Sequence, residues 1–185
     1  AVSASPMAFK VAFALADLAV VVLLIRELRA RALPLRWAGW YAFNPVVLVA
    51  FAGEGHFDSA MVLAVVAALA AARRQRLIGA SVLLAAAVQV KVVAAVALPL
   101  LLLRPGRRVP VLAAFSLANL IIALPFWQDL PGLVHGVAGF AGGGSFNGLL
   151  YHGVWLQTGS RAMASGLVGA GFLAVERHVA GVEAQ

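Results

Sequence analysis

Residues 77–103 read LIGASVLLAAAVQVKVVAAVALPLLLL, an apolar run interrupted only by Ser81, Gln89 and a lysine at its centre, Lys91. Arginines bracket the run on both sides: Arg73, Arg74 and Arg76 before it, Arg104, Arg107 and Arg108 after it. A charge this deep in a hydrocarbon-length segment is costly, and where one is retained it usually lines a site or a pathway. Short arginine-rich loops stay on the cytoplasmic side of a membrane. Two of them flanking one run therefore predict that the chain enters the bilayer, turns at Lys91 and returns. The outcome is a hairpin of two short helices with Lys91 at its tip. At ~1.5 Å per residue each arm reaches about 20 Å, less than the roughly 30 Å hydrocarbon core, so the tip must meet protein or a water-filled cavity. A single tilted helix of about 40 Å is the rival reading, and it places three arginines on the wrong side.

Composition points the same way. With 63% hydrophobic and 11% charged residues and a mean hydropathy of +0.98, the chain lies far from soluble domains, which carry about 25% charge. It reads as an all-α, polytopic transmembrane helix bundle. The net charge of +7 sits in short loops between apolar runs, the pattern of topology determinants, which argues against nucleic acid as a partner. The absence of cysteine excludes disulfides, thiolate catalysis and cysteine metal sites. Abundant Ala, Gly, Val and Leu suit helices packed closely through small residues.

The apolar runs are 8–25, 37–53, 59–72, the split run at Lys91, 109–127 and 162–175. The loop 26–36 carries Arg26, Arg29, Arg31 and Arg36 against Glu27, so it is assigned to the cytoplasm. Alternation from there puts residues 53–58, the Lys91 tip and the long stretch 128–161 on one extracytoplasmic face. Apart from Lys10, Lys91 and Arg161, all Lys and Arg residues then fall in cytoplasmic loops. Residues 132–148 are glycine-rich and read as part of a mobile loop. The chain opens at Ala1 with no methionine and runs at once into an apolar segment. Residues 1–185 accordingly read as a single transmembrane domain, the C-terminal portion of a longer membrane enzyme. A secretory signal is the other reading of the first 25 residues, and Asp17 argues against it.

The outer face collects the available chemistry. Gly53-Glu54-Gly55-His56-Phe57-Asp58 puts two carboxylates and an imidazole in one short turn whose glycines permit tight bending. These side chains either converge on a ligand or are simply solvated. The spacing is a weak ligand signature and no metal site is assigned. Lys91 is either functional or paired, with Asp17 or Asp58 as partners. Lys10 and Asp17, two turns apart on one helical face, read as a packing pair. Asn44-Pro45 predicts a kink, with Asn44 filling the gap left at a freed carbonyl. The four tryptophans Trp37, Trp40, Trp127 and Trp155 fall at the ends of runs, as in an aromatic belt.

Taken in order, these motifs carry a resemblance. Phe43-Asn44-Pro45, an apolar helix, Gly55-His56-Phe57-Asp58, a further apolar helix, an arginine-rich turn and a helix with Lys91 then Leu98-Pro99 resemble polyprenyl-phosphate-dependent glycosyltransferases of the GT-C superfamily. The closest likeness is to glycosyltransferase family 87, which includes bacterial mannosyltransferases. Leu124-Pro125-Phe126 and Ser145-Phe146-Asn147-Gly148 extend the likeness, which spans residues 9–159.

The resemblance implies an inverting hexosyltransferase of the cell envelope, multi-pass in the plasma membrane and working on its extracytoplasmic face. It would move a sugar, mannose by family, from a polyprenyl-phosphate donor to a lipid-linked or glycan acceptor, with no cofactor. It gives the catalytic base to an aspartate just after the first membrane helix, which either lies upstream of Ala1 or is missing, leaving the chain unable to do the chemistry alone. Where the family has an aromatic residue and a proline after the lysine, this chain has Val92, Val93 and Ala94. Lys91, His56 and Arg161 are then candidates for the donor phosphate, and Glu54, Asp58 and Asn147 for substrate. Asn147 either contacts a sugar hydroxyl or caps the next helix. The competing class is a fragment of a transporter or lipid flippase, which also builds sites from broken helices; no inverted repeat is evident. A purely structural subunit would leave Lys91 and the 54–58 cluster unexplained.

Overall fold

The computed structural model describes residues 5–53, 55–103, 106–143 and 148–182. The regular elements among them are all helical. The chain forms two compact units, Ala1–Ala123 and Leu124–Gln185.

In the first unit, helix α1 (Pro6–Ala30) starts on a proline, whose missing N–H costs nothing in a first turn. It ends where Ala32 turns left-handed (φ 52°) and Leu33 N–H donates to Leu28 O at 2.9 Å. This 6→1 bond satisfies an end carbonyl that the helix cannot. Helix α2 (Arg36–Ala42) stops ahead of Pro45, and a π-helical turn covers Val47–Gly53. The kink falls where the sequence places it, but Asn44 acts differently. Its Oδ1 accepts from Val46 N–H at 2.9 Å, capping the new turn instead of filling the gap behind it. An asparagine side chain is short, and the amide two residues on is the donor it most easily meets.

Helix α3 (Asp58–Arg73) closes as α1 does, with Gln75 left-handed (φ 59°) and Arg76 N–H on Ala71 O at 3.0 Å. Helix α4 (Leu77–Val90) ends at Lys91, whose backbone is extended (φ −156°, ψ 122°). A 3-10 turn, Val92–Ala97, and helix α5 (Leu98–Leu102) follow, and both pack back on α4. The apolar run thus breaks at its lysine into two arms that lie against each other. Helix α6 (Arg108–Ala123) packs on α4 as well.

The core is built around α4. Ala68 and Ala72 of α3, Leu77, Ala80, Leu84 and Ala87 of α4, Ala94, Leu101 of α5 and Val111 of α6 form one buried cluster. Alanines at these contacts let backbones approach closely, which strengthens van der Waals packing where an apolar surrounding gives no hydrophobic drive. Ser81, fully buried, donates its hydroxyl to Leu77 O at 2.8 Å and leaves no polar atom orphaned.

Side-chain contacts orient α1 against α3. At one end Lys10 touches Gly53 and Gly55, which precede α3. At the other Glu27 pairs with Arg74, and with Arg73 at 3.8 Å, on the last turn of α3. The two helices therefore run parallel. The outward faces are apolar: Phe9, Leu15 and Leu18 on α1 and Val109, Leu117 and Ile121 on α6 are all more than half exposed. Faces of this kind are the mark of a surface that meets lipid or another protein. Pro6–Ala30 and Arg108–Asp129 are long and apolar enough to cross a membrane; Leu77–Val90 and Val92–Leu102 are shorter apolar helices.

The second unit holds a 3-10 turn, Leu124–Asp129, and helices α7 (Leu130–Gly143), α8 (Gly148–Thr158) and α9 (Arg161–Val182), with α8 packed on α9. The stretch 128–161, expected to be a long loop, is mostly helical among the described residues. Its glycines misled: they are poor helix formers in water but frequent in helices of apolar, membrane-type sequence. Ser145 and its neighbours through Asn147 lie outside the described residues.

Leu84→Ala empties the centre of the α4 packing. It is expected to cost about 2–5 kcal/mol, the range for buried Leu→Ala changes, read as a lowered unfolding midpoint in detergent, whereas the exposed Leu117→Ala should leave the midpoint within error.

Candidate functional site

The extended backbone at Lys91 does two things. It ends α4, with Lys91 N–H still donating to Ala87 O at 3.0 Å and Lys91 O accepting from Ala94 N–H at 3.0 Å. It also sends the side chain sideways to α3, where Nζ donates to both oxygens of Asp58, at 3.1 and 2.9 Å. Of the two partners that the sequence offered, Asp58 is the one used. The pair is partly open, with 40% of the Lys91 and 21% of the Asp58 side chain exposed. The helix ends favour it: Asp58 is the first residue of α3 and Lys91 follows the last residue of α4, so each charge faces the helix pole of opposite sign.

His56 completes the cluster. Its Nδ1 accepts from Asp58 N–H at 3.4 Å and lies 3.5 Å from Asp58 Oδ2. With Nδ1 turned to Asp58, Nε2 is the ring nitrogen left to donate to a ligand. The imidazole stacks obliquely on Phe57, with centroids 4.7 Å apart, and 41% of its side chain is exposed. Ser59, fully buried, donates to His56 O at 3.3 Å and anchors the turn from below. Gly55 adopts φ +70°, and a Cβ there would lie 2.8 Å from Lys10 Cγ and 3.1 Å from Lys10 Cα. Only glycine fits both the backbone conformation and the close approach of α1.

The expected site residues divide accordingly. Lys91, His56 and Asp58 come together in the first unit. Arg161 opens α9 in the second unit, its guanidinium over Trp155 at 5.6 Å from the ring centroid. Glu54 and Asn147 lie outside the described residues. Among those residues no group of three His, Cys, Asp or Glu is arranged to hold a metal ion.

Three polar contacts escaped the sequence reading. Lys10 and Asp17 do not pair. Asp17, 8% exposed, accepts from the Tyr41 hydroxyl at 2.7 Å, and Lys10 Nζ donates to Gly53 O at 3.4 Å. The two side chains point to different neighbours, because helical periodicity says which residues share a face but not what packs there. Gln89 Nε2 donates to Asn119 Oδ1 at 2.9 Å, linking α4 to α6. The signal in each case was a polar side chain inside an apolar run, which implies a partner without naming it.

Gly55→Ala puts a methyl against the Lys10 backbone, which cannot yield, and is expected to destabilise the first unit by at least about 1 kcal/mol. Gly79→Ala in α4, where a Cβ meets nothing within 4 Å, should be neutral or stabilising by about 0.5–1 kcal/mol. Unfolding midpoints in detergent check the pair.

A family model described as alpha-(1->6)-mannopyranosyltransferase, N-terminal domain, matches residues 2–106. The match covers α1 to α5 and takes in Lys10, His56, Asp58 and Lys91, while Asn147 and Arg161 lie beyond it. Comparison with curated proteins and with solved structures gave no match. Since the matched stretch is more than half of the chain, the protein belongs to the alpha-(1->6)-mannopyranosyltransferase family and carries a glycosyltransferase domain.

Proposed function

We propose that the chain provides the donor-phosphate end of a multi-pass mannosyltransferase of the plasma membrane, which moves a sugar from a polyprenyl-phosphate carrier to a lipid-linked or glycan acceptor on the extracytoplasmic face, with inversion. The observation that carries the reading is the ammonium of Lys91. It is delivered by a break in an apolar hairpin, held by Asp58 and flanked by His56, all inside the stretch that matches the family. The segregation of charge supports the membrane placement. The Glu27–Arg73–Arg74 cluster lies at one end of the α1–α3 pair, as a cytoplasmic end requires, and the 53–58 turn lies at the other.

In the reaction the bond from the anomeric carbon to the phosphate oxygen breaks as the acceptor oxygen bonds to that carbon from the opposite face. The electron pair leaves with polyprenyl phosphate, and the acceptor proton passes to a base. Negative charge grows on the phosphate as the bond lengthens, so a fixed cation there stabilises the transition state more than the ground state. Lys91 fills that role and His56 Nε2–H is a second donor. Asp58 positions the lysine: both its oxygens are engaged, which makes it a poor base. The base is left to a carboxylate outside this cluster, following the family resemblance, while Arg161 remains a weaker candidate for the donor phosphate and Glu54 and Asn147 remain candidates for substrate contacts. Among fixed, preorganised donors the lysine holds its place because its countercharge belongs to a helix start rather than a mobile loop.

Lys91→Met is expected to lower kcat for sugar transfer about 10²-fold or more, the scale for loss of one transition-state donor, and His56→Ala by a smaller factor, in enzyme reconstituted in liposomes with a polyprenyl-phosphate mannose donor. Unchanged transfer in both variants would remove the assignment. A flippase would instead move the lipid across the bilayer with no change in sugar linkage, which the same liposomes report. For topology, single cysteines at Lys91→Cys and Gly106→Cys should react with an impermeant maleimide from opposite sides, and labelling of both from outside would overturn the re-entrant hairpin.

A further inference from the structure

In the Lys91–Asp58 pair the ammonium is matched by a carboxylate that it already holds with two hydrogen bonds. The donor, a phosphodiester with one negative charge, meets Asp58 as well as Lys91 as it approaches that pair, so a further positive charge would add to its attraction. We infer that Lys10 is a second donor-phosphate-binding residue of the same site, supplying a positive charge that no acid among the described residues pairs with. The inference rests on the reading of Lys91 above.

Its place in the fold supports this. Lys10 belongs to the second turn of α1, 43 residues from the turn that it touches. Its stem packs so closely on Gly55, the residue before His56, that no other side chain is tolerated there. The stem is therefore fixed while the head remains exposed. Its ammonium has three donors, and among the described residues it makes one long hydrogen bond, 3.4 Å to Gly53 O. The acid on its own helix face, Asp17, is spent on Tyr41. A lysine held at its stem, open at its head and short of acceptors is suited to grip an oxyanion that arrives with substrate. The donor enters already carrying one negative charge, which the open head of Lys10 meets on binding. Lys10 is thus expected to set affinity, while Lys91 acts on the step in which charge grows.

The test is Lys10→Met, which keeps the packing stem, beside Lys10→Arg, which keeps the charge, in the enzyme reconstituted in liposomes. Expected for Lys10→Met is a rise of about tenfold in KM for the polyprenyl-phosphate sugar, with the inhibition constant of the more highly charged polyprenyl phosphate rising by at least that factor and kcat less affected than KM, the scale of one lost charge-assisted hydrogen bond. Lys10→Arg should return both constants to near their starting values. If KM and the inhibition constant are unchanged in Lys10→Met while Lys91→Met has lost transfer, Lys10 is not part of the site and the Lys91 reading stands. Equal damage in both Lys10 variants, accompanied by a lowered unfolding midpoint, makes Lys10 a packing residue and overturns the inference. Should Lys91→Met also transfer normally, the phosphate site itself is misplaced and the inference falls with it.

Discussion

The ion pair between Lys91 and Asp58 is the constraint on which the first unit is organised. An unpaired ammonium in the middle of a 27-residue apolar stretch is expensive. It can be relieved by snorkelling along a helix or by breaking the helix and turning to a carboxylate. The chain takes the second course. The extended backbone at Lys91 ends one helix and starts the return arm, and the bond to Asp58 ties the tip to the beginning of α3. Because α3 and α4 are antiparallel neighbours joined by a short arginine turn, the end of one helix dipole meets the start of the other, and the pair adds to both.

With the tip fixed, the rest follows from small side chains. Alanines on α3 and α4 allow the backbones to close up around Leu84 and Leu101, and α6 covers the remaining side through Val111. The return arm adds a leucine to the core and carries the chain back toward its arginines. The same tight packing recurs where α1 meets the 53–55 turn, and there glycine replaces alanine because the backbone is left-handed and the neighbour is a main chain. Two tight approaches thus bring Lys10, His56, Asp58 and Lys91 to one end, while Glu27 and its arginines mark the other.

On the function proposed above, this arrangement separates two demands that a glycosyl-phosphate site must meet. A cation that acts on the leaving phosphate has to be rigid, and Asp58 makes it so at the cost of cancelling its charge. Binding an anionic lipid needs net attraction, which the cancelled pair does not provide. The fold meets the first demand inside the hairpin and leaves an exposed lysine of α1 beside the same turn.

Much of this was legible in the sequence. The break at Lys91, the kink at Asn44-Pro45, the helical class and the charged turn at 53–58 all follow from local rules: the cost of a buried charge, the missing N–H of proline and the period of apolar residues. Those rules act between near neighbours, so a single chain displays them. Partnership is another matter. That Lys91 takes Asp58 and not Asp17, that Asp17 goes to Tyr41, and that Lys10 leans on Gly55 depend on which helices pack, and packing sums weak contacts over residues far apart in sequence. The 128–161 stretch shows the converse, since its glycines spoke for a loop while an apolar helical pattern prevailed. The sequence by itself determined which residues had to find partners; the tertiary structure decided who the partners were, because only helix packing brings together polar groups 33 or 43 residues apart.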